Sequence, residues 1–238
     1  MRLLLLVCGL AIATRTVGAT TIVTLVPARD NTLFESAAGD LGNGAGPALF
    51  AGKTGQGLAR RALLFFDVAS HIPPGAQIDS VVLRLRVSNA PNDILRQVTV
   101  HRVLTDWGEG TSVAAGGVGS AAEEGDATWI HTFYPFQRWS SEGGDFDPTP
   151  SAALLVGGTG SYEWDGAALR ADVQSWVTQP GANHGWLLRG EEIGLNTARR
   201  FESRETAEPL ARPTLTIYYS GTIAARSTTW GSLKVRYR

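Results

Sequence analysis

Sulfur is nearly absent from this 238-residue chain, which has one cysteine, Cys8, and one methionine, Met1. Lysine is almost as scarce, at Lys53 and Lys234 against 19 arginines, an imbalance that reads as genomic base bias rather than chemistry. Charged residues make up 18%, below the roughly 25% of an average globular chain. A lone cysteine excludes an internal disulfide framework and a zinc site built on cysteine pairs. A formal net charge of −1 argues against a dedicated nucleic-acid binder, which carries a basic excess. What is abundant is glycine, 28 residues, and with 11 prolines it demands frequent turns. That composition excludes a coiled coil, a helical bundle and an acidic disordered chain.

The start of the chain has the order of a secretory signal. Met1-Arg2 is followed by an apolar run from Leu3 to Ala13, and Val17-Gly18-Ala19 supplies small residues before a cut at Thr20. The run is too short to span a bilayer, so no membrane insertion is expected after cleavage. Residues 1–19 read as the signal peptide and residues 20–219 as one folded domain. Residues 220–238 read as a basic linker and tail. Cleavage removes both sulfur residues. The domain then holds 15 basic against 22 acidic residues, while the tail carries Arg226, Lys234, Arg236 and Arg238 with no acid. Such a tail is either a solvated end or a peptide that docks to a surface or sorting partner.

Strand patterns dominate the domain. Val81, Leu83, Leu85 and Val87 alternate with polar positions that include Arg84 and Arg86, the period-two mark of a half-buried strand. Gln97 to Leu104 and Pro213 to Tyr219 alternate in the same way. Ala62 to Val68 is almost continuously apolar, as a central strand covered on both faces would be. Shorter candidates are Thr21 to Val26, Ala48 to Ala51, Ala127 to His131, Gly185 to Arg189 and Arg199 to Arg204. Leu169, Val173, Trp176 and Val177 share one face of a short helix that Pro180-Gly181 stops. These signals predict an all-β antiparallel β-sandwich of jelly-roll type with one short helix.

Sites of chemistry are few. His71, His101, His131 and His184 lack zinc spacing and read as polar surface or turn residues. No nucleophile elbow exists for a serine hydrolase, and Gly42 to Gly46 is a glycine-rich loop with no helix after it to cradle phosphate. Glu123-Glu124 and Glu191-Glu192 read as solvated loop charge. Asp145 and Asp147 could chelate calcium or act as a carboxylate pair, although their spacing is equally that of an ordinary turn.

Of seven tryptophans, Trp107, Trp129, Trp176 and Trp186 fit strand or helix positions that fill a core. Trp139 differs, because it lies in the polar, aromatic stretch from Tyr134 to Asp147. A planar indole stacks on a sugar ring, and flanking polar groups bind hydroxyls. The candidate carbohydrate-binding residues are therefore Tyr134, Arg138, Trp139, Asp145 and Asp147, with Trp164 as the next aromatic in line. A loop tryptophan can also plug a sheet, and that alternative stays open.

Several segments together resemble the DNRLRE domain, also described as carbohydrate-binding module family 96 and related to the disaggregatase group. They are Ala28 to Leu33, Arg61 to Asp67, Ile78 to Val87, Val100 to Gly110, Ala127 to Trp129 with Trp139 to Asp147, Val173 to Val177, Asn183 to Leu188 and Arg200 to Glu205. The match covers most of the span from Thr21 to Tyr219. The resemblance implies a secreted β-sandwich that binds an extracellular or cell-surface polysaccharide, often as one module of a larger extracellular protein or enzyme. It does not imply catalysis, and the leading expectation is a non-catalytic binding protein. Alternatives are a polysaccharide-degrading enzyme of the disaggregatase kind and a structural surface or matrix subunit. Arg61, Asp67 and Arg204-Glu205 are expected in partly buried ion pairs, since charges inside apolar strand patterns need partners.

Overall fold

The computed structural model describes residues 19–221, so nearly all of the stretches read above as a signal peptide and as a basic tail lie outside the described residues. Fifteen strands and one α-helix follow in order. The strands are β1 (Thr20–Leu25), β2 (Arg29–Phe34), β3 (Leu41–Gly42), β4 (Ala48–Lys53), β5 (Ala59–Phe65), β6 (Gln77–Asn89), β7 (Arg96–Arg102) and β8 (Ser120–Ala121). After them come β9 (His131–Phe133), β10 (Gln137–Arg138), β11 (Ala152–Val156), β12 (Gly160–Asp165), α1 (Ala167–Thr178), β13 (Trp186–Gly190), β14 (Arg199–Glu202) and β15 (Thr214–Ser220). Every named ladder is antiparallel. The all-β sandwich with a single short α-helix expected from the alternation is what the chain adopts. Among the described residues no helix is long and apolar enough to cross a membrane.

Two sheet regions face each other across the main core. One contains β1, β15 and β6, with β12 on the far side of β6 and β14 continuing beside its end. The other contains β2, β5, β13, β7 and β11. Strand β4 belongs to both, because Ala48 to Ala51 pair with β14 while Gly52 and Lys53 pair with β5. The corner falls at Gly52, whose φ of 119° suits only glycine and whose missing side chain lets the Thr197–Ala198 backbone approach. At the opposite edge β1 closes the sheet, with Thr20 paired to Ser220.

The alternation in β6 buries Val81, Leu83, Leu85 and Val87. They meet Leu215 and Ile217 from the same sheet and Ala62, Leu64, Trp186 and Leu188 from the facing one. Helix α1 closes this core with Leu169, Val173, Trp176 and Val177, and the Trp176 and Trp186 rings lie 4.5 Å apart between centroids. The expected helix face and its stop are both observed.

Strand β5 is covered on both faces, as its apolar run predicts, and the second cover is a long irregular segment. Residues 103–147 cross the outer face of the second sheet, where Leu33, Leu63 and Leu187 point away from the main core. There they form a second core with Val103, Trp107, Ala127, Trp129 and Trp139. The expected strand from Ala127 to His131 is instead a turn leading into β9. Strands β2, β11 and β12 were not evident as alternations. In β12 only Trp164 is buried, and glycines flank the segment.

Candidate functional site

Within the stretch from Tyr134 to Asp147, Trp139 is a buried plug between largely exposed neighbours. Trp139 is only 6% exposed, and its indole N–H donates to the carbonyl of Thr128 at 2.9 Å. It belongs to the core cluster that includes Leu33, Leu63 and Leu187, and its burial leaves no open face for a sugar. Trp164, the next aromatic considered, is buried too, with its N–H on the carbonyl of Val98 at 3.1 Å. All six tryptophans among the described residues are buried, so none of these six offers an open indole face to a sugar.

The other four predicted residues separate. Tyr134 is half-buried with its ring edge-on to His131, 5.2 Å between centroids, and Arg138 is exposed on β10. Asp145 folds its own loop by accepting the backbone N–H groups of Ser140 at 2.8 Å and Ser141 at 2.9 Å. Asp147 accepts the N–H of Thr149 at 2.9 Å and faces Arg102 at 3.7 Å. Both carboxylates are thus engaged in loop and surface contacts, and among the described residues the acidic cluster able to hold a metal lies elsewhere. A shallow depression beside Asp145, lined also by Thr105, Ser140 and Ser141, does not include Trp139.

That acidic cluster joins residues far apart in sequence. Asp30 comes from β2, Glu109 from the segment over the second core, and Arg204 and Glu205 from the turn after β14. Arg204 grips Glu109 with two bonds of 2.7 and 2.8 Å, and its backbone N–H donates to Asp30 at 2.8 Å. Glu205 lies 2.7 Å from the same guanidinium, while the backbone N–H of Asp30 donates to Glu109 at 2.8 Å. Asp30 is fully buried, and desolvation, reinforced by the charge of Glu205, holds its carboxyl well above the usual carboxylate range. Beside it, buried Asn31 ties β2 to the carbonyl of Glu109 and to the Asn43 backbone N–H. Arg204-Glu205 does form the expected ion pairs. Glu109 is the member whose role has no sequence signal of its own.

Two concavities lie on the outer sheet faces. A groove of about 770 Å³ runs over β7 and β13, lined by Gln97, Thr99, His101, Arg189, Glu191 and Glu192. Its acids are paired rather than merely solvated: Glu192 binds Arg61 at 2.8 Å and Arg189 at 2.9 Å, and Glu191 binds Arg96 at 2.8 Å. Burial opposes ionisation of Glu192, but the two arginines outweigh it and hold this carboxyl below its ordinary range. Arg61 therefore pairs with Glu192, while Asp67 accepts the N–H of Ser70 at 3.3 Å. His101 and His131 are buried, unlike the surface or turn positions expected for them.

The second concavity, about 460 Å³, sits over β4, β14 and the end of β6. Its polar side chains are Lys53, Thr54, Asn89, Asn196 and Arg200, and its apolar lining includes Phe50 and Pro91. No carboxylate lines it. Arg200 is fixed from outside by the Ser88 hydroxyl and by Glu202 at 3.3 Å. Neither a protein-family model nor a curated protein matches the chain.

Proposed function

We propose that the chain is an exported, non-catalytic carbohydrate-binding β-sandwich whose ligand is an extracellular polysaccharide. The observation that carries this reading is the concavity holding Lys53, Asn89, Asn196 and Arg200 against an apolar wall. Two amides, an ammonium and a guanidinium supply donors for sugar oxygens, and the apolar lining suits the C–H face of a ring. The domain is acidic overall, yet this pocket is lined by cations and no acids, which favours a glycan bearing uronate or sulfate groups. Export rests on the signal-like order of residues 1–19. The non-catalytic part is supported by the burial of Asp30, because this carboxyl, raised by desolvation, cannot touch a polymer.

An array of polyuronate, sulfated and neutral glycans probed with the purified chain tests this directly. Binding is expected on acidic glycans. Lys53→Ala and Asn89→Ala are expected to weaken it by about tenfold each, the equivalent of one hydrogen bond to a charged group, with the melting midpoint unchanged. A reducing-end assay on the bound glycans is expected to show no chain cleavage. Absence of binding by the folded chain, or undiminished binding by both variants, overturns the reading. Cleavage would replace it with the enzymatic one.

A further inference from the structure

We propose that Asp30, Glu109 and Glu205 form a calcium site that joins β2 to the turn after β14. Their carboxylate oxygens all lie within 4.8 Å of one another. A Ca²⁺ ion binds oxygen at about 2.3–2.6 Å, so oxygens spaced this way can share one ion.

The hydrogen-bond ledger of the cluster is incomplete at two atoms that point to a ligand. Asp30 Oδ2 accepts the Arg204 N–H, but Asp30 Oδ1 is buried and has no partner among the described residues. Glu205 Oε2 is buried without a partner as well. A carboxylate oxygen so placed loses its water and receives nothing in return, which costs several kcal/mol unless a proton or cation supplies the missing contact.

Charge gives the same answer. With all three carboxylates ionised, they face one guanidinium, that of Arg204, leaving two negative charges that a divalent cation would balance. Arg204 bonds both oxygens of Glu109 and meets Glu205 at Oε1, so its contacts leave Asp30 Oδ1 and Glu205 Oε2 without a partner. Glu109 would contribute through the remaining lone pairs of a carboxylate already aligned by Arg204. Calcium suits these residues better than magnesium, because Mg²⁺ keeps several waters and a fully buried Asp30 leaves little room for them. Hard oxygen donors without nitrogen or sulfur also select against zinc and copper. The site is independent of the glycan pocket.

Isothermal titration of CaCl₂ into the chelator-treated chain at neutral pH, with melting followed in parallel, tests the proposal. One saturable event is expected, together with a rise in melting midpoint that MgCl₂ at the same concentration reproduces only weakly. Glu205→Gln removes one ligand charge at a partly exposed position and is expected to weaken binding by about tenfold or more. Glu205→Asp, which keeps the charge but shortens the reach, should weaken it less. Asp145→Asn is expected to leave binding unchanged. No saturable heat and no midpoint shift overturns the proposal and assigns the cluster a shared proton instead. Calcium binding that Glu205→Gln leaves undiminished, or that disappears in Asp145→Asn, overturns it by placing the ion elsewhere. An equal response to MgCl₂ overturns the choice of calcium.

Discussion

An indole whose N–H is bonded to a buried carbonyl and which belongs to an apolar core cluster contributes to stability, and Trp139 is in that position. Trp139→Ala should destabilise the fold by about 3–5 kcal/mol, the range for truncating a large buried aromatic. Urea titration measures this, and a midpoint equal to that of the parent would return Trp139 to the surface. The sequence could not decide the matter, because an aromatic in a polar, glycine-rich stretch fits both a sugar platform and a plug. What decided it was Leu63 and Leu187, which leave the main core on the outer face of their strands and require a cover. Arg199 makes a similar point. Its neighbour Arg200 faces a pocket, yet Arg199 is fully buried and donates to the carbonyls of Gly157, Thr197 and Ile94. Alternation in β14 places it inward, but nothing in its residue type says that three orphan carbonyls wait there.

Among elements, those with clean periodicity were legible. Strand β6 and helix α1 announce themselves through Val81 to Val87 and through Leu169, Val173, Trp176 and Val177, because each must bury one face. Strand β12 was not, since Ser161, Glu163 and Asp165 are polar and only Trp164 is fully buried, with Tyr162 half-buried beside it. The acidic cluster was legible in pieces only. Asp30-Asn31 and Arg204-Glu205 stand out as segments, but their meeting depends on how β2 and β14 are placed in the sandwich. Strand β4 governs that placement by passing from one sheet to the other at Gly52. An added methyl there would lie 2.7 Å from the Ala198 Cα, and a φ of 119° is strained for any other residue. Gly52→Ala should therefore cost at least about 1–3 kcal/mol. Differential scanning calorimetry reads the loss, and an unchanged melting temperature would mean that the corner is not constrained as described.

For the molecule as a whole, acid sensitivity should come partly from groups that fold in their less protonated form. Burial holds the His101 imidazole below its ordinary value of 6.5, against the opposing bond from Nδ1 to the Asp147 carbonyl. A group depressed in this way gives stability that is complete above pH 6.5 and lost as pH falls through the lower folded value. Glu192, held down by Arg61 and Arg189, adds a second loss as pH falls below 4.5. Asp126, raised chiefly by burial, acts in the opposite sense, so the comparison must be made between variants. The parent should lose melting temperature more steeply than His101→Gln as pH falls from 6.5, and more steeply than Glu192→Gln below 4.5. Parallel curves would show that neither group titrates as argued. The pairing of Thr20 with Ser220 carries a different consequence. Residues paired across an antiparallel ladder have their Cα atoms about 5 Å apart, so the domain is entered and left at almost the same point. A chain built this way can be circularly permuted by a short link between those residues, with new ends opened at the exposed Gly181. It can also be grafted as a cassette into a surface loop of another protein without prying the host's strands apart.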